Sequence, residues 1–151
     1  MSQSQSSRAT DRGLLLIRLA LGLVFVMHGW FKLTTFGLAG TAGFLASLGI
    51  PFPQVNAVAI IAVEVIGGLF LAIGAGTRIA GALLAFSMLV ALATVHAPNG
   101  FFLPTGYEFV LTLALVSIAI VIAGAGRYSV DAQFFSRPAP SVPAVSHKKA
   151  A

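Results

Sequence analysis

The sequence predicts an all-α membrane protein, a bundle of four transmembrane helices, and its composition, its apolar segments and its charge distribution all indicate this. Of the 151 residues, 58% are hydrophobic and only 9% are charged, whereas soluble domains carry about a quarter charged residues. At roughly 1.5 Å per residue, a segment of about 20 apolar residues crosses a hydrocarbon core of about 30 Å. Four segments reach that length: 13–33, 55–75, 79–97 and 107–125.

The basic residues predict that both ends of the chain face the cytoplasm. With the N-terminus inside, eight of the nine Lys and Arg residues lie on or toward the cytoplasmic side and only Lys32 lies outside, which is the positive-inside bias. Basic tails beside anionic lipid account for the net charge of +5 without a nucleic-acid partner. We therefore expect a multi-pass membrane protein, surrounded by the lipid bilayer. Its transmembrane domain spans 13–131, between disordered cytoplasmic tails at 1–12 and 132–151.

One face of the first segment carries an unusual set of residues. On a helix, Arg18, Gly22, Phe25, Gly29 and Lys32 recur at i, i+4, i+7, i+11 and i+14, with His28 at the edge of that face. A transmembrane helix does not expose such a stripe to lipid. The stripe is expected to face other protein or a polar cavity.

Glu64 lies near the middle of the second segment and is the hardest polar residue to explain as ordinary surface. A carboxylate at the bilayer centre costs at least about 2.5 kcal/mol, so it must be protonated, paired or hydrated, and His28 and Arg18 are within reach of it in depth. His96 and Glu108 flank a short outer loop and could meet directly. We therefore predict a polar pocket on the outer side, formed by His28, Glu64, His96, Glu108, Lys32 and Arg18.

Several of these residues also have an ordinary structural interpretation that involves no ligand. Arg18 can extend to the inner headgroups, and Lys32 suits an interfacial anchor better than a site residue. His96 fits a capping or belt position, and Glu108 can simply be solvated.

Small residues predict where the helices pack closely. Gly68, Ala72 and Gly76 recur every four residues, which lets a neighbouring backbone approach, and Thr77 is a candidate N-cap for the third helix. In the long 34–56 connection, Phe44, Leu45 and Leu48 fit one face of a short helix. We expect this helix to lie in the outer interface or to dip as a lid over the mouth of the bundle, and we favour an ordinary interfacial loop. The predicted packing positions are Gly22, Gly29, Gly68, Ala72, Gly76 and Gly81.

The residue types restrict the chemistry of the predicted pocket. The absence of cysteine excludes disulfides and thiol relays. Imidazoles and carboxylates suit transition metals, but no helix carries two ligands at i, i+4, so no metal site is predicted. A haem between His28 and His96 is less favoured still. A pocket in which Glu64 and His28 exchange protons with a small polar or quinone-like ligand fits better.

Several motifs together resemble the DoxX family of small bacterial membrane proteins. They are the HGxxK motif at His28, Glu64 followed by Gly67 and Gly68, and the closing sequence from Gly124 to Asp131. The resemblance implies a four-helix inner-membrane protein with both termini inside. Some members are linked to membrane oxidoreductase assemblies, and the family takes its name from a relative of a thiosulfate–quinone oxidoreductase subunit. Ser129 and Asp131 are better explained as a helix stop than as a catalytic pair.

Three functions remain open from the sequence. The first is a membrane subunit of a redox system that holds a quinone or a small sulfur species and, lacking a catalytic motif of its own, exchanges electrons with a partner protein. The second is a non-catalytic scaffold for another membrane protein, in which Glu64 and Arg18 form a buried pair. The third is a transporter for a small solute or protons, which with four helices requires a homodimer.

Overall fold

The computed structural model describes residues 3–135, and every regular element among them is helical. Three short turns of π-helix and one of 3₁₀-helix interrupt the α-helices. The α-helices are α1 Gln3–Phe31, α2 Gly37–Ser47, α3 Pro53–Ala62, α4 Gly68–Ile73, α5 Thr77–Ala91, α6 Glu108–Ala123 and α7 Val130–Phe135. The π turns are π1 Lys32–Phe36, π2 Val63–Gly67 and π3 Leu92–His96, and Ala97–Asn99 forms the 3₁₀ turn.

The apolar helices confirm the predicted fold class. Three continuous helical stretches are long and apolar enough to cross a membrane: Ser7–Ser47, Pro53–Ile73 and Thr77–Asn99. The fourth predicted segment corresponds to the shorter apolar helix Glu108–Ala123. The molecule is thus a helical membrane bundle.

The first helix begins earlier than predicted. Helical backbone starts at Gln3, within the predicted disordered tail 1–12. Contacts with the far end of the chain account for part of this difference, because the Asp11 carboxylate accepts a hydrogen bond from the Arg127 amide at 3.0 Å. This contact also brings the start of α1 and the segment after α6 to the same end of the bundle. Most of the predicted second tail, 136–151, lies outside the described residues.

The 34–56 connection is more helical than predicted. Helical backbone continues from α1 through π1 into α2. At the junction, Gly37 has a left-handed φ of 65°, which glycine adopts without strain. Thr41, Ala42 and Leu45 form the buried face of α2, which packs against α3 at Ala57. Phe44, predicted on the same face as Leu45, is exposed instead. α2 therefore packs on the bundle through one face.

Close helix packing occurs at most of the predicted small residues. A Cβ on Gly22 would lie 2.6 Å from the Gly68 carbonyl oxygen and 2.9 Å from the Ala72 Cβ, so α1 and α4 touch backbone to backbone. Gly29 meets π2 and Gly81 meets α6 in the same way. Gly76 differs, because no atom lies within 4 Å of its Cβ position and its φ is 55°. It is the N-cap of α5 rather than a packing residue.

The N-terminus of α5 is capped from the other end of the sequence rather than by Thr77. The Asp131 carboxylate accepts hydrogen bonds from the amides of Gly76 at 2.7 Å and Thr77 at 2.9 Å. Ser129 caps α7 through the Ala132 amide. Ser129 and Asp131 thus cap the starts of α7 and α5. They do not form the predicted helix stop, because α6 already ends at Ala123.

Candidate functional site

A cavity of about 490 Å³ lies at the end of the bundle that holds His28 and His96. We call it the Glu64 cavity. Its wall is mostly apolar, with a few polar side chains contributed by several helices, the composition typical of small-molecule sites. The polar side chains in the wall are His28, Lys32, Thr41, Glu64, Ser87, Thr94 and His96.

The three π turns all contribute to this cavity. Lys32 begins π1, Glu64 lies in π2 and His96 ends π3. A π turn adds a residue to a helix and shifts the face that the following side chains share, and such turns are frequent at functional sites. Sequence periodicity at 3.6 residues per turn does not detect them, so these turns were not predicted.

Glu64 is paired with Lys32. The Lys32 ammonium lies 2.5 Å from both carboxylate oxygens of Glu64. Glu64 is 1% exposed, whereas the Lys32 side chain is 28% exposed. The burial cost of the carboxylate is therefore met by a two-oxygen contact with an ammonium. This differs from two expectations, since Lys32, interpreted as an interfacial anchor, lies in the cavity wall and pairs with Glu64, and Arg18 is not the partner of Glu64.

The two histidines lie in the cavity wall by different contacts. The His28 ring packs against Phe109 of α6, with ring centroids 5.8 Å apart and planes tilted by 39°. The His96 Nδ1 lies 2.8 Å from the Thr105 carbonyl oxygen. If that nitrogen carries the proton, the Nε2 of His96 is left as an acceptor.

Two hydroxyl groups in the cavity wall have no hydrogen-bond partner among the described residues. Thr41 and Ser87 are 6% and 7% exposed, and both hydroxyl oxygens are buried. A buried polar group without a partner costs about 1–3 kcal/mol. Because both line the cavity, a ligand there can supply the missing hydrogen bonds. Neither residue was predicted, since a hydroxyl on an apolar helix is an unremarkable sequence feature.

Arg18 lies outside the Glu64 cavity. It is fully buried, and its Nη1 and Nη2 donate hydrogen bonds to the carbonyl oxygens of Ala125 and Tyr128, both at 2.5 Å. Asp131 lies close enough to interact with it electrostatically. Contrary to expectation, Arg18 neither belongs to the pocket nor extends to headgroups. It ties α1 to the segment after α6, and we call Arg18, Ala125, Tyr128 and Asp131 the Arg18 cluster.

Glu108 is also absent from the cavity wall, and the predicted direct contact between it and His96 is not formed. Its carboxylate accepts a hydrogen bond from the Leu103 amide at 2.9 Å. Glu108 therefore fixes the loop before α6, of which Leu103 and Pro104 line the cavity. Within the described part of the chain, no three His, Cys, Asp or Glu side chains are grouped so as to hold a metal ion.

The comparisons with known proteins identify the family. The DoxX family model matches residues 13–97, more than half of the chain. The chain belongs to the DoxX family. A Bacillus subtilis protein named "Putative oxidoreductase CatD" is 34% identical over 125 residues, which cover 83% of this chain and 89% of that protein.

Two further relatives support the assignment to DoxX. A Haemophilus influenzae protein named "Uncharacterized protein" is 30% identical over 125 residues, or 80% of this chain and 90% of that protein. "Inner membrane protein YphA" of Escherichia coli is 35% identical over 65 residues, or 43% of this chain and 45% of that protein. No solved structure matches the chain. In this DoxX protein the matched region contains His28, Lys32, Glu64 and His96, whereas Glu108 and the closing segment lie beyond it.

Proposed function

We propose that this DoxX protein is the membrane component of a redox system and binds its ligand, a quinone or a small sulfur species, in the Glu64 cavity. One observation carries the proposal: a largely apolar cavity holds two buried hydroxyls without partners beside a buried ion pair and two imidazoles. The name of the Bacillus relative supports a redox role. We further propose that the protein resides in the inner membrane, that α6 is the fourth transmembrane helix, and that the Arg18 end faces the cytoplasm.

The polar groups of the cavity suit a ligand with oxygen acceptors. The hydroxyls of Thr41 and Ser87 are free to donate, and the Lys32 ammonium has three N–H groups, not all of which Glu64 occupies. Glu64 and the histidines can exchange protons with a ligand whose charge changes on reduction. Such a site binds a quinone and handles its protons, while electrons are exchanged with a partner protein.

The two cavity hydroxyls provide a test that separates binding from stability. Thr41→Val and Ser87→Ala remove hydroxyls that have no partner among the described residues, so the unfolding temperature should stay the same or rise. Each lost hydrogen bond to the ligand should weaken binding by roughly tenfold, about 1.4 kcal/mol. Menadione is a suitable probe, because it is a quinone without a tail and the chain has no cysteine to react with it.

Ser117→Ala is the matched control for this experiment. The Ser117 hydroxyl is also buried without a partner, but the residue lies outside the cavity wall. Its removal should leave menadione binding to the protein in nanodiscs unchanged. Equal affinities in all variants, or no binding to the wild type, would refute the proposed site. Quinone-independent solute flux in proteoliposomes would instead support a transporter, and a stable ligand-free complex with another membrane protein would support a scaffold.

A further inference from the structure

Two apolar grooves adjoin the Glu64 cavity on the surface between α3–α4 and α5. The first, of about 250 Å³, shares five wall residues with the cavity: Leu45, Ile50, Ile60, Ser87 and Val90. The second, of about 360 Å³, shares Val63 and Leu83 with the first and has only apolar residues in its wall. The cavity therefore shares a wall with the first groove, and the first groove shares part of its wall with the second.

Ser87 lies where the cavity and the first groove meet. It lines both, and its buried hydroxyl has no partner among the described residues. Apart from Ser87, the wall of the first groove has one polar residue, Asn56, whose amide already donates to the Pro51 carbonyl oxygen at 2.7 Å. Of these three neighbouring spaces, the Glu64 cavity is thus the polar one and the two grooves are the apolar ones.

We propose that the ligand of the cavity is a membrane-dissolved molecule with a hydrogen-bonding head group and a long apolar chain, which enters sideways between α3 and α5. The head group binds in the Glu64 cavity, and the chain lies in the two grooves. From Val90 to Ile79, both of which contribute to the walls, α5 extends for roughly 16 Å. The inference rests on the proposed function and selects a chain-bearing quinone over a small sulfur species.

The wall that the first groove shares with the cavity, including the unpartnered Ser87 hydroxyl, distinguishes the grooves from ordinary lipid-facing surface. A small water-soluble ligand would use only the polar cavity and would leave the grooves to bulk lipid. A lipid whose head group stays outside the cavity would form no hydrogen bonds with the hydroxyls of Thr41 and Ser87. A molecule with both parts fills the cavity and the grooves together.

A pair of naphthoquinones tests the role of the grooves. Menadione lacks a chain, and phylloquinone carries a phytyl chain on the same ring system. Leu83→Trp fills the position shared by the two grooves, where the native side chain is 48% exposed. This variant should lose phylloquinone binding in nanodiscs by roughly tenfold or more while it retains menadione binding. Leu69→Trp, at a position 50% exposed and outside both grooves, should retain both.

The wild-type protein supplies an independent measurement of where the chain lies. A phylloquinone analogue with a diazirine at the end of its chain should label groove residues such as Ile66, Phe70 and Ile79, and excess phylloquinone should abolish that labelling. Labelling spread over α1 and α6, or a Leu83→Trp variant that binds phylloquinone normally, would overturn the lateral groove while the menadione site stood. Failure of both quinones to bind the wild type would overturn the proposed function as well.

Discussion

Within residues 3–135, charged side chains are buried at two places, and the surroundings of the two charges differ. In the Arg18 cluster, a fully buried guanidinium binds two carbonyl oxygens and lies near Asp131. In the Glu64 cavity, a buried carboxylate binds Lys32 beside a space of about 490 Å³. Arg18 lies in the wall of neither the cavity nor the grooves. The first arrangement holds chain segments together, whereas the second leaves polar groups available to a ligand.

The Arg18 cluster and the Glu64 cavity also differ in how tightly the surrounding atoms pack. A Cβ on Gly74 would lie 2.2 Å from the Arg18 Nη1 and 2.5 Å from the Ser129 Cβ, so backbone packs directly against the guanidinium. Around Glu64 the neighbours are π turns and hydroxyls without partners. Burial of charge alone therefore does not identify a binding site. Adjoining space does, because the Arg18 Nε is also buried without a partner among the described residues, but Arg18 lies in the wall of neither the cavity nor the grooves.

The largest effect is expected when the Arg18 cluster is forced open. Gly74→Ala introduces a Cβ against the guanidinium at a φ of 73°, so the protein should lose about 3–5 kcal/mol of stability, in the range of the most damaging single substitutions. Gly76→Ala, also at positive φ but with no atom within 4 Å, should lose only about 1 kcal/mol. Thermal unfolding in detergent measures both. Similar losses in the two variants would show that backbone strain, not the cluster, matters.

The Glu64 cavity should respond to loss of its ion pair in stability and in binding separately. Lys32→Met leaves the buried carboxylate unpaired and should cost about 2–3 kcal/mol, less than for a fully buried pair because Lys32 is partly exposed. Lys32→Met combined with Glu64→Leu removes both charges and should recover most of that stability. Menadione binding should not recover. Recovery of binding in the double variant would mean that the pair only supports the bundle.

Substitutions that disturb the close packing of α1 should destabilise the protein at two positions, and at only one of them should they also affect the Glu64 cavity. A Cβ on Gly29 would lie 2.9 Å from the Glu64 Cβ, and one on Gly22 would lie 2.6 Å from the Gly68 carbonyl oxygen. Each Ala substitution should cost about 1–3 kcal/mol, the usual range for overpacking. Only Gly29→Ala should also weaken menadione binding, because it displaces π2. Gly13→Ala, with no atom within 4 Å, is the control.

Sequence reasoning predicted the helical bundle because apolar segments long enough to span a membrane can be seen directly in the order of the residues. It also predicted that the stripe with Arg18 and Lys32 faces protein or a polar cavity, although it favoured an interfacial anchor for Lys32 and left Arg18 free to extend to the headgroups. The interaction partners of these two residues were not predicted correctly. Arg18 and Lys32 are 14 positions apart, about 21 Å along a helix, so a single carboxylate cannot serve both. Depth alone left Arg18 within reach of Glu64.

The features that sequence reasoning missed depend on tertiary structure. Three π turns change the register of otherwise regular helices, and their residues carry no distinct composition. The capping of α5 by Asp131 joins positions 54 and 55 residues apart. The significance of Thr41 and Ser87 lies in the absence of a partner, which only three-dimensional contacts reveal. A sequence can list polar residues, but it does not record which hydrogen bonds they lack.

The smallest predicted effect is a pH dependence confined to the Arg18 cluster. Although desolvation opposes it, the hydrogen bonds from the Thr77 and Gly76 amides and the nearby Arg18 charge lower the pKa of Asp131 below its ordinary value. A carboxyl with a lowered pKa stabilises the fold above its ordinary pKa, and that contribution disappears as the pH falls through the lowered value. The unfolding temperature should therefore decrease at acidic pH, and Asp131→Asn should flatten the decrease. An unchanged acid profile in Asp131→Asn would show that the capping carboxylate does not set the acid sensitivity of the fold.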